Sequence, residues 1–245
     1  MSEWVAYTYA FGHYLPLAER ALKSFARFHP EIPIFFFTPD SFSLSLKNLI
    51  TRKVSTYDIS QECINAGKLL NKEFKNIIYF DADTLIASRF EEVLSEKESV
   101  LMLSLSEEHK RAKTVDERLD GNRFPNRGFF AIHELDFFEE YGKEFERRLN
   151  IDKEWADNDA LALMQFKFPF FFLEERFQVY YNERGRKFWQ EKGKVRLENG
   201  ELVCEDGRKL RILHWAGGWK RGEKFRLKKE HKLSPEIVEF LGFLE

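Results

Sequence analysis

Cysteine is nearly absent from this 245-residue chain, and several other features that would narrow its class are missing too. The two cysteines, Cys63 and Cys204, stand far apart and fit no Cys-x-x-Cys or metal-ligand spacing. That argues against a disulfide framework or a thiolate metal site, and both are expected as reduced, small apolar residues. Charge of one sign is lacking as well: 39 Lys and Arg against 41 Asp and Glu leave −2, which provides no general attraction to nucleic acid. No long apolar run occurs, since the longest, around residues 170–173, is far too short to span a bilayer. The first residues lack the basic start and apolar stretch of a signal peptide, so a soluble, cytoplasmic protein is expected. No internal repeat and no Pro/Gly/Ser-rich linker breaks the chain, which favours a single domain.

What the chain does have is aromatic bulk, chiefly 26 Phe, enough for a substantial core. The first ninety residues alternate between strand and helix patterns. Residues 4–10, 34–37 and 77–80 read as strands, and the last two are continuous apolar runs of the kind found in buried parallel sheets. Between them, residues 15–28 carry Leu15, Ala18, Leu22 and Phe25 on one stripe. Residues 60–73, capped by Ser60, bury Cys63, Ala66, Leu70 and Phe74. This order implies a parallel α/β sheet with right-handed crossovers. Further strands are expected at 100–105 and 128–132, with helices at 137–149 and 157–164. Residues 107–122 are charged and poorly periodic, and read as a mobile loop. Asn199-Gly200 predicts a hairpin within 195–204, and a last strand covers 210–215. The Phe-rich stretch 166–177 reads as core.

The stretch Asn76–Ile86, NIIYFDADTLI, carries the most information. Its apolar strand ends abruptly in Asp81-Ala82-Asp83. Residues two apart in an extended backbone point the same way, so both carboxylates converge at the strand's C-terminal end, where open α/β sheets bind ligands. Two adjacent carboxylates are costly without a cation or a shared proton, and a divalent metal is the simplest relief. A second motif, His214-x-x-Gly217-x-x-Lys220, also follows an apolar strand. A neutral imidazole complements two carboxylates around a cation such as Mn²⁺; Gly217 admits a phosphate close to the backbone, and Lys220 adds a point charge. Asn126-Arg127-Gly128 and Asp157-Asn158-Asp159 complete the set of polar segments abutting apolar elements.

Taken together and in this order, YFDADTLI, NRGFF, DNDALA and HWAGGWK resemble the retaining glycosyltransferases of family 8, which include glycogenin and bacterial lipopolysaccharide galactosyltransferases. The resemblance covers roughly residues 4–220. It implies a GT-A type fold, with a mostly parallel mixed sheet flanked by helices, as a catalytic domain over 1–220 followed by a basic tail over 221–245. It also implies that Asp81, Asp83 and His214 bind Mn²⁺ or Mg²⁺, with Ala82 between the acids, and that the donor is a nucleotide sugar, most simply a UDP-sugar. Gly217 and Lys220 would then contact the diphosphate, while Thr8, Tyr9 and Tyr14 lie near the base and ribose. Lys68 would touch phosphate or sugar, Asn126 and Gly128 would line the sugar pocket, and Asp157 and Asn158 would hold sugar hydroxyls. Asp157 and Asp159 are the carboxylates that a covalent intermediate would need. The chain departs from the family at Asn158, where Gln is usual, and at Ala162, where Asn is usual.

The acceptor implied is a glycan or a lipid-linked hydroxyl. Residues 220–232 carry seven cationic side chains against two acidic ones, which suits contact with an anionic membrane surface; a solvated loop is the plainer reading. Haloacid dehalogenase-type phosphatases also end a strand in Asp-x-Asp, but one residue separates their second Asp from the Thr, whereas Thr84 follows Asp83 directly. A non-catalytic sugar-binding relative would have little use for both aspartates and the histidine.

Overall fold

The computed structural model of the protein describes residues 3–103, 109–120, 123–173, 178–180, 196–203, 207, 209–214, 236 and 239. Three fully buried strands, β1 (Trp4–Tyr9), β2 (Ile34–Thr38) and β4 (Asn76–Phe80), form the centre of a seven-stranded sheet. The other members are β3 (Leu49–Lys53), β6 (Ser99–Leu103), β7 (Pro125–Ile132) and β8 (Phe170–Leu173), in the order β3-β2-β1-β4-β7-β6-β8. β3, β2, β1 and β4 run parallel; β7 is antiparallel to both β4 and β6, and β6 is parallel to β8. The expected mostly parallel mixed sheet is therefore present. β3 has no counterpart among the expected strands, because as an exposed edge strand it reads Leu-Ile-Thr-Arg-Lys and shows no apolar pattern.

Alternate residues of each central strand feed opposite layers. On one face, Ala6, Phe36, Ile78 and Phe80 pack against Ala18, Leu22 and Phe25 of α1 (Leu15–Phe28). On the other, Tyr7, Phe35, Ile77 and Tyr79 meet Cys63 and Ala66 of α2 (Ile59–Leu70) and Phe137, Phe138 and Tyr141 of α5 (Phe137–Leu149). Cys63 is free and fully buried, as expected; Cys204 lies outside the described residues. The cap of α2 is Asp58, whose carboxylate accepts from the Gln61 amide, and not Ser60. Ser60 is directed elsewhere, as described below. A short helix, α3 (Glu91–Ser95), bridges toward β6.

The expected loop over 107–122 is corrected. It holds α4 (His109–Val115), and Ala112 and Leu119 are buried with Phe124 against Ala162 and Leu163 of α6 (Ala156–Leu163). Its apolar stripe is only Ala112, Val115 and Leu119, which the surrounding charges obscure. The Phe-rich segment is core only in part: Phe170 and Leu173 are buried, while Phe166 and Phe171 are exposed.

A smaller sheet packs beside the first: β5 (Thr84–Ile86), β12 (Ile212–His214) and β9 (Gln178–Tyr180). β10 (Arg196–Glu198) and β11 (Glu201–Val203) form the expected hairpin. Asn199 at φ 52° and Gly200 at φ 77° make the left-handed pair its two-residue turn requires. Gly217, Lys220 and the basic segment 220–232 lie outside the described residues, among which no helix is long and apolar enough to cross a membrane.

His29 ends α1 fully buried between aromatic rings, its ring centroid 3.9 Å from Phe90 and 5.2 Å from Phe25. Neither ring nitrogen has a hydrogen-bond partner among the described residues, and Nδ1 lies 3.9 Å from Glu31. Burial pushes the imidazole down to about 4, with Arg89 adding to the effect and Glu31 opposing it. The folded value lies below the unfolded one, so the unfolded chain binds the proton more readily and stability falls as pH drops from about 6.5 toward 4. Between pH 7 and pH 5 the loss comes to about 2 kcal/mol. His29→Phe should flatten this part of a Tm-against-pH curve; an unchanged slope would show that His29 contributes nothing to it.

Candidate metal centre

Asp81 and Asp83 leave the C-terminal end of β4, and β5 begins at the next residue. β5 pairs antiparallel with β12 in a register that sets Thr84 opposite His214 and Leu85 opposite Leu213. Strand pairing thus delivers the distant histidine to the acids. His214 Nε2 lies 3.2 Å from Asp83 Oδ1 and 3.7 Å from Asp81 Oδ2. One donor atom from each of the three residues falls within 4.8 Å of the others. Two carboxylates and an imidazole at this spacing fit a divalent cation.

The backbone fixes the geometry. The Asp81 amide donates to the Gly128 carbonyl at 2.9 Å, and the Thr84 amide closes a turn on the Asp81 carbonyl at 3.0 Å. Gly128 lies directly against the histidine: a Cβ there would stand 2.2 Å from His214 Cε1. Only a residue without a side chain leaves room for the ring.

Burial disfavours charge on both Asp83 and His214, yet their mutual attraction prevails, lowering the Asp83 carboxyl and raising the His214 imidazole. Tyr14 faces the same acids; burial first, then Asp83 and Asp81, raise its phenol.

A second network adjoins the acids. The buried Tyr79 hydroxyl donates to Asp81 Oδ1, and Arg127 Nη2 reaches the same oxygen at 3.2 Å. Arg127 Nη1 lies 3.2 Å from Asp157 Oδ2 and donates to Ser60 Oγ at 2.9 Å, while Ser60 donates to Asp157 Oδ2 at 2.7 Å. Asp157 sits in the first turn of α6, where its Oδ1 also accepts the Asn158 amide at 2.7 Å. The register between β6 and β7 breaks here: Leu101 of β6 faces Phe130, but Met102 already faces Asn126, so β7 carries extra residues at 127–129.

The remaining expected residues divide. Asn126 is buried and its Oδ1 accepts the Gly128 amide at 2.8 Å. Asn158 Oδ1 accepts the Arg127 amide at 2.9 Å. Ala82 is core. Thr8 is fully buried, and its Oγ1 has no hydrogen-bond partner among the described residues. Tyr9 donates to the Thr56 carbonyl, its phenol pushed up to about 12 by burial and by Glu62. Lys68 pairs with Glu139 of α5 at 3.1 Å and not with the acids of the group. Asp159 also turns away: Arg111 of α4 grips both its oxygens, at 2.6 and 2.7 Å. Arg127, Ser60 and Tyr79 were not expected at the site. Only the position of Arg127 between Asn126 and Gly128 offered a sequence signal.

A mostly parallel mixed sheet flanked by helices, with an Asp-x-Asp at the end of its fourth strand, defines the GT-A class of fold. The crystal structure of the galactosyltransferase LgtC, in complex with donor and acceptor sugar analogues, is similar over 97% of this chain and 95% of its own, with a TM-score of 0.63 at 14% identity. An active-site mutant of LgtC matches equally. The bifunctional glycosyltransferase WbbM matches with a TM-score of 0.58 at 13% identity, over 97% of this chain and 51% of its own. No protein-family model matches the sequence, and no curated protein is significantly similar to it.

Proposed function

We propose that this protein is a retaining glycosyltransferase, dependent on Mn²⁺ or Mg²⁺, that moves a hexose from a UDP-sugar to a hydroxyl of a glycan or lipid-linked acceptor. The observation that carries this reading is the convergence of Asp81, Asp83 and His214 at the end of β4. The fold is shared with LgtC, whose own crystal structure holds donor and acceptor sugar analogues.

Asp81, Asp83 and His214 would hold the cation, and its chemistry is Lewis-acid stabilisation of a departing diphosphate. The chain's own side chains position the donor. Gly217 and Lys220 are assigned to the diphosphate, Thr8, Tyr9 and Tyr14 to the nucleoside, and Asn126 to the sugar pocket. Asp157, already held by Ser60, Arg127 and the Asn158 amide, has spare acceptor capacity on Oδ1 for a sugar hydroxyl. The diphosphate leaves ionised, so no strong general acid is needed.

Front-face attack, with a departing phosphate oxygen taking the acceptor's proton, agrees with how the candidate nucleophiles are engaged. Of the two carboxylates that a covalent intermediate would need, Asp159 is committed to Arg111 through both oxygens, and Asp157 has its Oδ2 held by Ser60 and Arg127. For the basic residues 221–232 a solvated loop is the plainer reading, and contact with an anionic membrane surface, where a lipid-linked acceptor would reside on the cytoplasmic side, is the second.

A screen of nucleotide sugars for Mn²⁺-dependent hydrolysis tests class, metal and donor together. A UDP-hexose should be hydrolysed, and chelation should stop the reaction. If no nucleotide sugar is bound or cleaved, the reading fails at its root.

A further inference from the structure

We propose that Arg127 is a positioning residue that couples the metal-binding acid Asp81 to the sugar-binding acid Asp157, an inference that rests on the function proposed above. Its two terminal nitrogens hold two different carboxylates, Nη2 on Asp81 Oδ1 and Nη1 on Asp157 Oδ2, each at 3.2 Å. Ser60 closes a three-membered ring of contacts, accepting from Nη1 and donating to Asp157. The guanidinium also lies over the Tyr79 ring, 5.8 Å from its centroid, and the Arg127 amide is tied to Asn158. The side chain is only 12% exposed, and its charge persists despite burial because Asp81 and Asp157 surround it.

The consequence for Asp81 is directional. Tyr79 and Arg127 both occupy Oδ1, which leaves Oδ2 turned toward His214 as the oxygen for a cation. The consequence for Asp157 is the same constraint in mirror image: its Oδ2 is held by Ser60 and Arg127, which sets how Oδ1 meets a sugar. A planar fork can grip two acids at once; a lysine ammonium, a point donor on a flexible stem, holds one well at the other's expense. If either acid loses its charge, the guanidinium moves onto the remaining one. Neutralising Asp157 therefore draws Arg127 onto Asp81, where it competes with a cation.

The test is a double-mutant cycle on the full chain, read as the affinity for Mn²⁺ alone by calorimetry, with the Mn²⁺ electron paramagnetic resonance spectrum as a second signature. Asp157→Asn should weaken Mn²⁺ binding about tenfold when Arg127 is present, and by no more than about twofold in an Arg127→Gln background. Equal effects in both backgrounds overturn the coupling. In turnover of the UDP-hexose, Arg127→Lys should lower kcat about a hundredfold while the donor KM stays within about threefold, because the acids are mispositioned and the binding groups remain. A kcat equal to that of the unmodified chain overturns the proposal as well. If the unmodified chain binds no Mn²⁺, the metal reading fails and the coupling falls with it. Tight binding with an additive cycle defeats the coupling alone.

Discussion

Gly128→Ala is expected to abolish high-affinity metal binding although Asp81, Asp83 and His214 all remain in the chain. The added methyl carbon would stand 2.2 Å from His214 Cε1, and 2.6 and 2.7 Å from its two ring nitrogens. Contact at such distances is impossible, so something must move. The Gly128 backbone is not in the left-handed region, so the substitution introduces no torsional strain of its own. Its whole effect acts through the imidazole. That ring is 3% exposed and lies 3.2 Å from Asp83, so it cannot slide aside without leaving the acids. Overpacking of this kind costs about 1–3 kcal/mol, and displacement of a ligand should reduce Mn²⁺ affinity at least about a hundredfold. Calorimetric titration with Mn²⁺ and a melting curve check both effects. Adding His214→Ala to Gly128→Ala should restore Tm while leaving metal binding absent. Unchanged Mn²⁺ affinity in Gly128→Ala would contradict the contact between this glycine and the histidine.

Asp83→Asn should reduce metal-dependent sugar transfer by about a thousandfold or more while the protein stays folded. Asparagine keeps the shape of the side chain but offers a neutral, weaker ligand oxygen. It also removes the nearest charge that raises the His214 imidazole, so that upward pull weakens. The residue lies at the end of β4 and not in the apolar layers, which is why stability should change little. Turnover of the UDP-hexose and a melting curve measure the two expectations. Full activity in this variant would remove Asp83 from the site.

The central sheet was legible in the sequence because its strands are continuous apolar runs, and the Asp-x-Asp could be placed at a strand end for the same reason. His214 could be paired with the acids only through the order of motifs, since nothing local in the sequence reports the β5–β12 register that joins them. The setting of Arg127 leaves no trace in hydrophobic period, because the residue lies where the register between β6 and β7 breaks. The pattern over 107–122 hides α4, because its contacts are a long-range ion pair, Arg111 to Asp159, and a few apolar residues set among charges. That same pair explains why Asp159, which looks equivalent to Asp157 in the sequence, stands apart from the acid group.

The three-residue strand β12 has a consequence for how the protein is assembled. It is the last strand among the described residues, and it docks between β5 and β9 to deliver the histidine. A chain emerging from the ribosome carries both aspartates more than 130 residues before their partner, so the acids wait without a ligand set until His214 has been made and β12 has docked. Any cation that requires all three side chains recognises only molecules in which this strand has docked. Each tenfold excess over its dissociation constant would then favour the docked form by about 1.4 kcal/mol, making the cation a proofreader of the completed fold as well as a participant in chemistry.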